Sequence, residues 1–271
     1  MPERLAAEAA GAAGWADEIA QRFQFAAWPQ ARVHASWLDA LTQASGVPVT
    51  AGWGADAGPA ALAVARALLA EAGAPAGQRV PVDQVPAWAL QDAAALQRQL
   101  SVAGALNLLP ELRAAVHGEA IRHWDRVLGT DIRRSTLRWC QLHLSVEVPP
   151  HARGVRHMAQ AAARQPDSWQ GFCLAMALAG LGDLGEAVSA RMRLVWPHSL
   201  RATPPLPLDV QALRWLHTCL KVAGVMLADL ASDAEATSAT AAPPGAPPSP
   251  PSPPSPPYPT AAAGSPPTAL S

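Results

Sequence analysis

Apolar residues recur along most of the chain at spacings of three and four residues, which is the repeat of an α-helix. Alanine and leucine, which favour helices, dominate these segments, and no run alternates convincingly between apolar and polar positions as a strand would. The pattern therefore predicts an all-α fold. Helices are expected over residues 2–12, 15–26, 30–45, 59–73, 86–103, 105–116, 117–128, 131–145, 152–165, 168–180, 183–194 and 208–230.

The clearest periodicity lies in the middle of the chain. From residue 121 onward the apolar positions repeat at an average close to the roughly 3.6 residues of a helical turn, with Ser135 filling one missing step. The apolar members are Ile121, Trp124, Leu128, Ile132, Trp139, Leu142 and Val146. Gly129 is a candidate C-terminal cap that divides the stretch into two helices, with Thr130 or Asp131 as the next N-cap.

Five arginines lie off this apolar stripe, and their positions predict that they line the solvent side of the helices or contact a partner. They are Arg122, Arg126, Arg133, Arg134 and Arg138. We expect them to form a candidate contact surface for a partner protein, because all five cations lie off one apolar stripe.

The segment over residues 168–197 has a rhythm of large and small apolar residues like that of a tetratricopeptide repeat. Helical repeats bury a common core only when about three units stack, and the sequence contains one such unit. The segment is therefore predicted to be an isolated helical hairpin. The glycines of GLGDLGE (180–186) are expected to form its turn, because no strand precedes them as a dinucleotide-binding loop requires.

The end of the chain differs in composition from the rest. Residues 242–271 hold 13 of the 28 prolines and carry no charged residue, and residues 231–240 are small and polar. Such a segment has little to bury and cannot offset the entropy lost on ordering. The sequence therefore predicts a single globular all-helical domain at residues 1–230 and a disordered proline-, alanine- and serine-rich tail at residues 231–271.

The net charge and the cysteines limit the classes of partner and the cellular compartments that the protein is expected to have. The chain carries a net charge of −1, and because Asp233 and Glu235 lie in the tail, the domain itself carries +1. This charge is not typical of a nucleic-acid-binding protein. The three cysteines form no CxxC pair, which indicates free thiols in a reducing compartment. The N-terminus is acidic, unlike a signal peptide, and no apolar run is long enough to span a bilayer. The protein is therefore expected in the cytosol, and we expect it to reach a membrane only through its partners.

The sequence VHGEAIRHW (116–124) is the best candidate for chemistry, since it places two histidines around a glutamate. At about 100° per residue, however, His117 points away from Glu119 and His123, so the geometry of a helical zinc site fails. Glu119 is left as an ordinary surface partner for Arg122 and His123. No nucleophile elbow or phosphate-binding loop occurs elsewhere. We therefore predict no catalytic, cofactor-binding or metal-binding residues.

The same stretch resembles the HGEAIR segment of the YscK/SctK family, the cytosolic accessory proteins of type III secretion systems, to which OrgA and MxiK are more distantly related. Residues 22–41, RFQFAAWPQARVHASWLDAL, look like the opening of that family. Residues 208–227, LDVQALRWLHTCLKVAGVML, resemble its closing helix. The proline-rich tail departs from the family pattern.

The resemblance implies a non-enzymatic structural adaptor of the sorting platform beneath the inner membrane. Members of the family link the cytoplasmic domain of the membrane-ring protein (SctD) to the C-ring subunit (SctQ), and secretion needs this link. Two alternatives remain open at this point. A helical chaperone of tetratricopeptide type would show a concave peptide groove, and an enzyme would show a buried polar cluster with shifted pKa values.

Overall fold

The computed structural model describes residues 16–27, 29–50, 58–75, 77–143 and 148–240, and over these ranges it contains helices and no strand. The predicted all-α fold is confirmed. The predicted helix at 2–12 and residues 241–271 of the disordered tail predicted at 231–271 lie outside the described residues, whereas residues 231–240 are helical. The α-helices are α1 (16–27), α2 (Ala35–Ser45), α3 (Gly58–Glu71), α4 (Ala87–Leu90), α5 (Ala93–Asn107), α6 (Leu109–Ala114), α7 (Gly118–Leu128), α8 (Thr130–His143), α9 (Arg153–Ala162), α10 (Pro166–Leu181), α11 (Glu186–Leu194) and α12 (Val210–Thr240).

Two predicted helices are each divided in the structure. The helix expected at 30–45 becomes a 3-10 helix, Pro29–Arg32, followed by α2, whose N-terminus is capped where Ser36 N–H donates to His34 Nδ1. The helix expected at 86–103 becomes α4 and α5, because the Asp92 side chain caps α5 by accepting a 2.9 Å hydrogen bond from Ala95 N–H. The prediction of one continuous helix was wrong at both places, because the side chains of His34 and Asp92 cap the start of a new helix.

The main core is built around α5 and α10. Every residue of α10 from Phe172 to Ala179 is buried, so this helix is apolar on all sides, as a central helix must be. It packs against α5, α7, α9 and α11. The approach to α5 is close at Gly104, where an added Cβ would lie 2.7 Å from the indole ring of Trp169. A side chain at that position would therefore push the two helices apart.

A second, smaller cluster of buried residues joins α2, α3 and α11. Its members are Trp37, Leu38, Leu68, Ala72, Ala190 and Leu194. Trp37 is 1% exposed, and its indole N–H donates a 2.7 Å hydrogen bond to the carbonyl of Trp196. Because a buried indole N–H needs an acceptor, this bond fixes the position of α2 on the body of the protein.

The predicted hairpin at 168–197 is confirmed as α10 and α11. Its turn uses Gly182 and Gly185, which have φ angles of 54° and 91°. These angles lie in the left-handed region that glycine adopts without strain. Gly182 and Gly185 therefore serve the turn that the sequence predicted, whereas Gly180 lies within α10.

The last helix, α12, runs to Thr240, ten residues beyond the end expected at 230. Its buried stripe ends at Met226, and Leu230 is the last of the described side chains to pack against the core. The compact body of the chain ends at Ser232. The additional turns contain alanine, serine and threonine, and alanine has the highest helix propensity of all residues.

Candidate interaction surface

The HGEAIR segment begins α7. His117 is the N-cap residue without a side-chain capping bond, and Glu119 lies exposed in the first turn, where a carboxylate interacts favourably with the helix dipole. At the other end Val127 and Leu128 are buried. The last turn of the helix is thus anchored to the core, and Glu119 in its first turn faces solvent.

The histidines of this segment do not form a metal cluster. No group of histidine, cysteine, aspartate and glutamate side chains that could hold a metal ion occurs among the residues whose placement is described. His123 instead packs edge-on against Trp124, with the ring centroids 5.2 Å apart. Trp124 in turn packs against the main core. The role of His123 visible in this structure is therefore a packing contact.

Gly129 separates α7 from α8, as the sequence predicted. Its φ angle is 90°, and its N–H donates a 3.0 Å hydrogen bond to the carbonyl of Asp125, which caps the end of α7. The next helix begins at once, since Arg133 N–H donates to the carbonyl of Gly129 over 3.1 Å. A single glycine therefore redirects the chain between two charged helices.

Four of the five predicted arginines are exposed, and the fifth is not. Arg122 and Arg126 on α7, and Arg134 and Arg138 on α8, all face solvent. The prediction of a solvent position was wrong for Arg133, which is 9% exposed. The bend at Gly129 brings this side chain against α7, a contact that the periodicity of one helix cannot reveal.

Arg133 forms an ion pair with Asp125 that ties α8 to α7. The Arg133 Nε donates to Asp125 Oδ1 over 2.5 Å, and the two side chains are 10% and 22% exposed. Because a partly buried charge without a partner is expensive, each of these residues depends on the other. The pair has a structural role in holding the two helices together.

The exposed charged residues of α7 and α8 form two stripes, each with one acidic residue followed by two arginines. Glu119, Arg122 and Arg126 are the charged residues that face solvent most openly on α7, at positions i, i+3 and i+7. Asp131, Arg134 and Arg138 repeat this arrangement on α8. Residues at these spacings share one face of a helix. We call the six residues together the paired charge stripes.

A second ion pair joins Arg156 to Glu111, a contact that the sequence did not predict. Arg156 Nε donates a 2.8 Å hydrogen bond to Glu111 Oε1, and the Gln160 side chain donates to the same oxygen. The partner lies 45 residues away on α6. Arg156 is therefore engaged in joining α9 to α6, and the sequence carried no signal that could have found its partner.

The cysteines are free and buried, as the sequence predicted. Burial raises the pKa of the Cys173 and Cys219 thiols to about 12. Burial also raises the pKa of Cys140 on α8, and the nearby Arg113 guanidinium opposes this by stabilising the thiolate. A raised pKa keeps a thiol in its unreactive protonated form. The three cysteines therefore serve as small apolar residues of the core.

No helix in the described ranges combines the length and the apolar character that a membrane crossing needs.

Comparison with known proteins gives the family. Searches of the curated proteins and of the solved structures found no match. The family model described as YOP proteins translocation protein K (YscK) matches residues 19–226, from α1 to the buried end of α12. The chain therefore belongs to the YscK family of type III secretion proteins.

Proposed function

We propose that this chain is a non-enzymatic structural adaptor of the type III secretion sorting platform. It would link the cytoplasmic domain of the membrane-ring protein (SctD) to the C-ring subunit (SctQ). The observation that carries the proposal is the family match over residues 19–226, which spans most of the helical body rather than one short motif. In this role the protein works from the cytosol and is held at the inner membrane by its partners.

The surface chemistry supports an adaptor. The paired charge stripes present four exposed arginines, which can form bidentate hydrogen bonds with carboxylates of a partner. The helices that carry them are fixed by the Arg133–Asp125 ion pair and by the buried last turn of α7. A binding surface on rigid elements loses little conformational freedom when a partner docks, which favours a stable assembly.

The alternative of a tetratricopeptide-like chaperone gains no support from the hairpin that suggested it. Such a protein binds peptides on the concave face of stacked hairpins. In this chain α10, the first helix of the hairpin, is buried along its length from Phe172 to Ala179. Its apolar residues are therefore occupied by the core and are not free to line a peptide groove.

The proposal is tested by co-purification of the chain with the C-ring subunit and, separately, with the cytoplasmic domain of the membrane-ring protein. Each experiment is done with the full chain and with a chain that lacks residues 231–271. We expect stable complexes that survive loss of the tail, because the family match ends at residue 226. Failure to bind either partner would contradict the adaptor function.

A further inference from the structure

We propose that the paired charge stripes, Glu119–Arg122–Arg126 and Asp131–Arg134–Arg138, form one docking surface for an acidic helix of a partner protein. The inference rests on the proposed function, because it names the chemistry of one partner contact. It goes beyond that function because it assigns the contact to six residues and excludes Arg133 from it.

The two stripes border the same seam. Asp125 on α7 and Arg133 on α8 form an ion pair, so these two positions face each other across the contact between the helices. At about 100° per residue, Asp125 lies roughly 60° around α7 from Arg122, and Arg133 lies roughly 100° around α8 from Arg134. Each exposed stripe therefore lies next to the face of its helix that meets the other helix, and the two helices are in contact.

The arginines of the stripes form no ion pair with the described part of the chain. Arg22, Arg133, Arg156, Arg193 and Arg201 form the arginine ion pairs found within the described part of the chain. None of those pairs involves Arg122, Arg126, Arg134 or Arg138. Four exposed guanidinium groups on two adjacent helices, without a carboxylate partner among the described residues, form a basic surface on a domain whose overall charge is close to zero.

The order of charges favours a protein over a uniform polyanion. Each stripe begins with a carboxylate, Glu119 or Asp131, and continues with two arginines. A phosphate backbone or an anionic bilayer would be repelled at the two carboxylates. A partner helix with the order cation, carboxylate, carboxylate at the same spacings meets opposite charges at all three positions. The two arginines of a stripe are four residues apart, about 6 Å along the helix, which matches carboxylates one turn apart on the partner.

The first experiment measures binding of the full chain to the C-ring subunit and to the ring-protein domain at low and at moderate salt. Two charge-reversal variants are used, R122E/R126E and R134E/R138E. The matched control is R98E/R214E, which reverses two exposed arginines on α5 and α12 outside the stripes. We expect both stripe variants to weaken binding to the same one of the two partners by about tenfold or more. The remaining affinity should depend less on salt, since exposed charges act through screened, long-range attraction. The control should change affinity less than about twofold.

Unfolding curves of the same variants separate docking from folding. The substituted side chains are exposed, so the unfolding midpoints should match that of the wild-type chain. If a charge-reversal variant does unfold, the milder R122Q/R126Q and R134Q/R138Q variants replace it. These variants should also weaken binding to the partner. Stripe variants that fold and bind both partners as the control does would overturn the proposal.

A second experiment does not depend on the two partners. Two labelled helical peptides of identical composition are titrated with the full chain, one with lysine, glutamate and glutamate at i, i+3 and i+7, and one with this order scrambled. We expect the ordered peptide to bind several-fold more tightly and to lose this advantage with R134E/R138E. Equal binding of the two peptides, or stronger binding of anionic vesicles than of either, would contradict a protein ligand. If the wild-type chain itself binds neither partner in the first experiment, that result would instead contradict the proposed function.

Discussion

Helix α10 and the α7–α8 pair show two different uses of the same secondary structure. Every residue of α10 from Phe172 to Ala179 is buried, and the helix carries no charged residue after Asp167. In α7 and α8 the six residues of the paired charge stripes face solvent, and Val127, Leu128 and Trp139 are buried. The first region can contribute only to stability, whereas the second has side chains that remain available to a partner. The difference indicates that α10 serves the core alone, whereas α7 and α8 combine core contacts and an ion pair with an exposed charged face.

The largest expected effect comes from a cavity in α10. Leu174 is 0% exposed, so Leu174→Ala removes core volume that the neighbouring helices cannot refill. We expect the free energy of unfolding to fall by about 3 kcal/mol. Urea denaturation followed by circular dichroism measures this loss. A change below about 1 kcal/mol would show that α10 is not the centre of the core.

A smaller effect is expected at the seam between α7 and α8. Asp125→Ala leaves the Arg133 guanidinium partly buried without its carboxylate, and we expect a loss of about 2 kcal/mol. Arg133→Met removes the remaining charge and should recover part of that stability in the double variant. A double-mutant cycle by urea denaturation measures the coupling. Additive effects of the two changes would mean that the ion pair does not hold the helices together.

The pH dependence of stability should report the buried thiol in α10. Burial raises the pKa of Cys173 to about 12 from the ordinary thiol value of 9.0. The unfolded chain loses this proton first, so the stability is fully present below pH 9 and declines as the pH rises toward 12. Between pH 9 and pH 10 we expect the free energy of unfolding to fall by about 1 kcal/mol for this thiol. Urea titrations of Cys173→Ala at both pH values should show a correspondingly smaller decrease than the wild-type chain.

The smallest effect on stability is expected in the paired charge stripes. Arg134→Ala and Arg138→Ala change exposed side chains that form no ion pair in the described part of the chain. The free energy of unfolding should change by less than about 0.5 kcal/mol for each variant. Thermal and urea unfolding provide the measurement. A loss of 2 kcal/mol or more would place these arginines with Arg133 as structural residues.

The predictable part of the fold was the part that depends on residues near each other in sequence. The break at Gly129, the hairpin turn at 180–186 and the inward positions of Ile132 and Trp139 on α8 were correct, because caps, turns and helical periods are local properties. The side chains of Leu142 and Val146 lie outside the described part of the chain. The divisions before α2 and α5 were missed, although His34 and Asp92 are local caps too. In those places the helix propensity of the surrounding alanines concealed the cap.

The sequence by itself determined that the chain is helical, that its cysteines are unpaired and that it resembles the YscK family, because composition, period and motif are all written along the chain. Only the tertiary structure decided which arginines are available. Arg133 and Arg134 are adjacent in sequence, yet one pairs with Asp125 and the other faces solvent. Arg156 likewise takes its partner from a helix 45 residues away. The reason is physical: the environment of a charge is set by the helices packed around it, and packing joins residues that the sequence keeps apart.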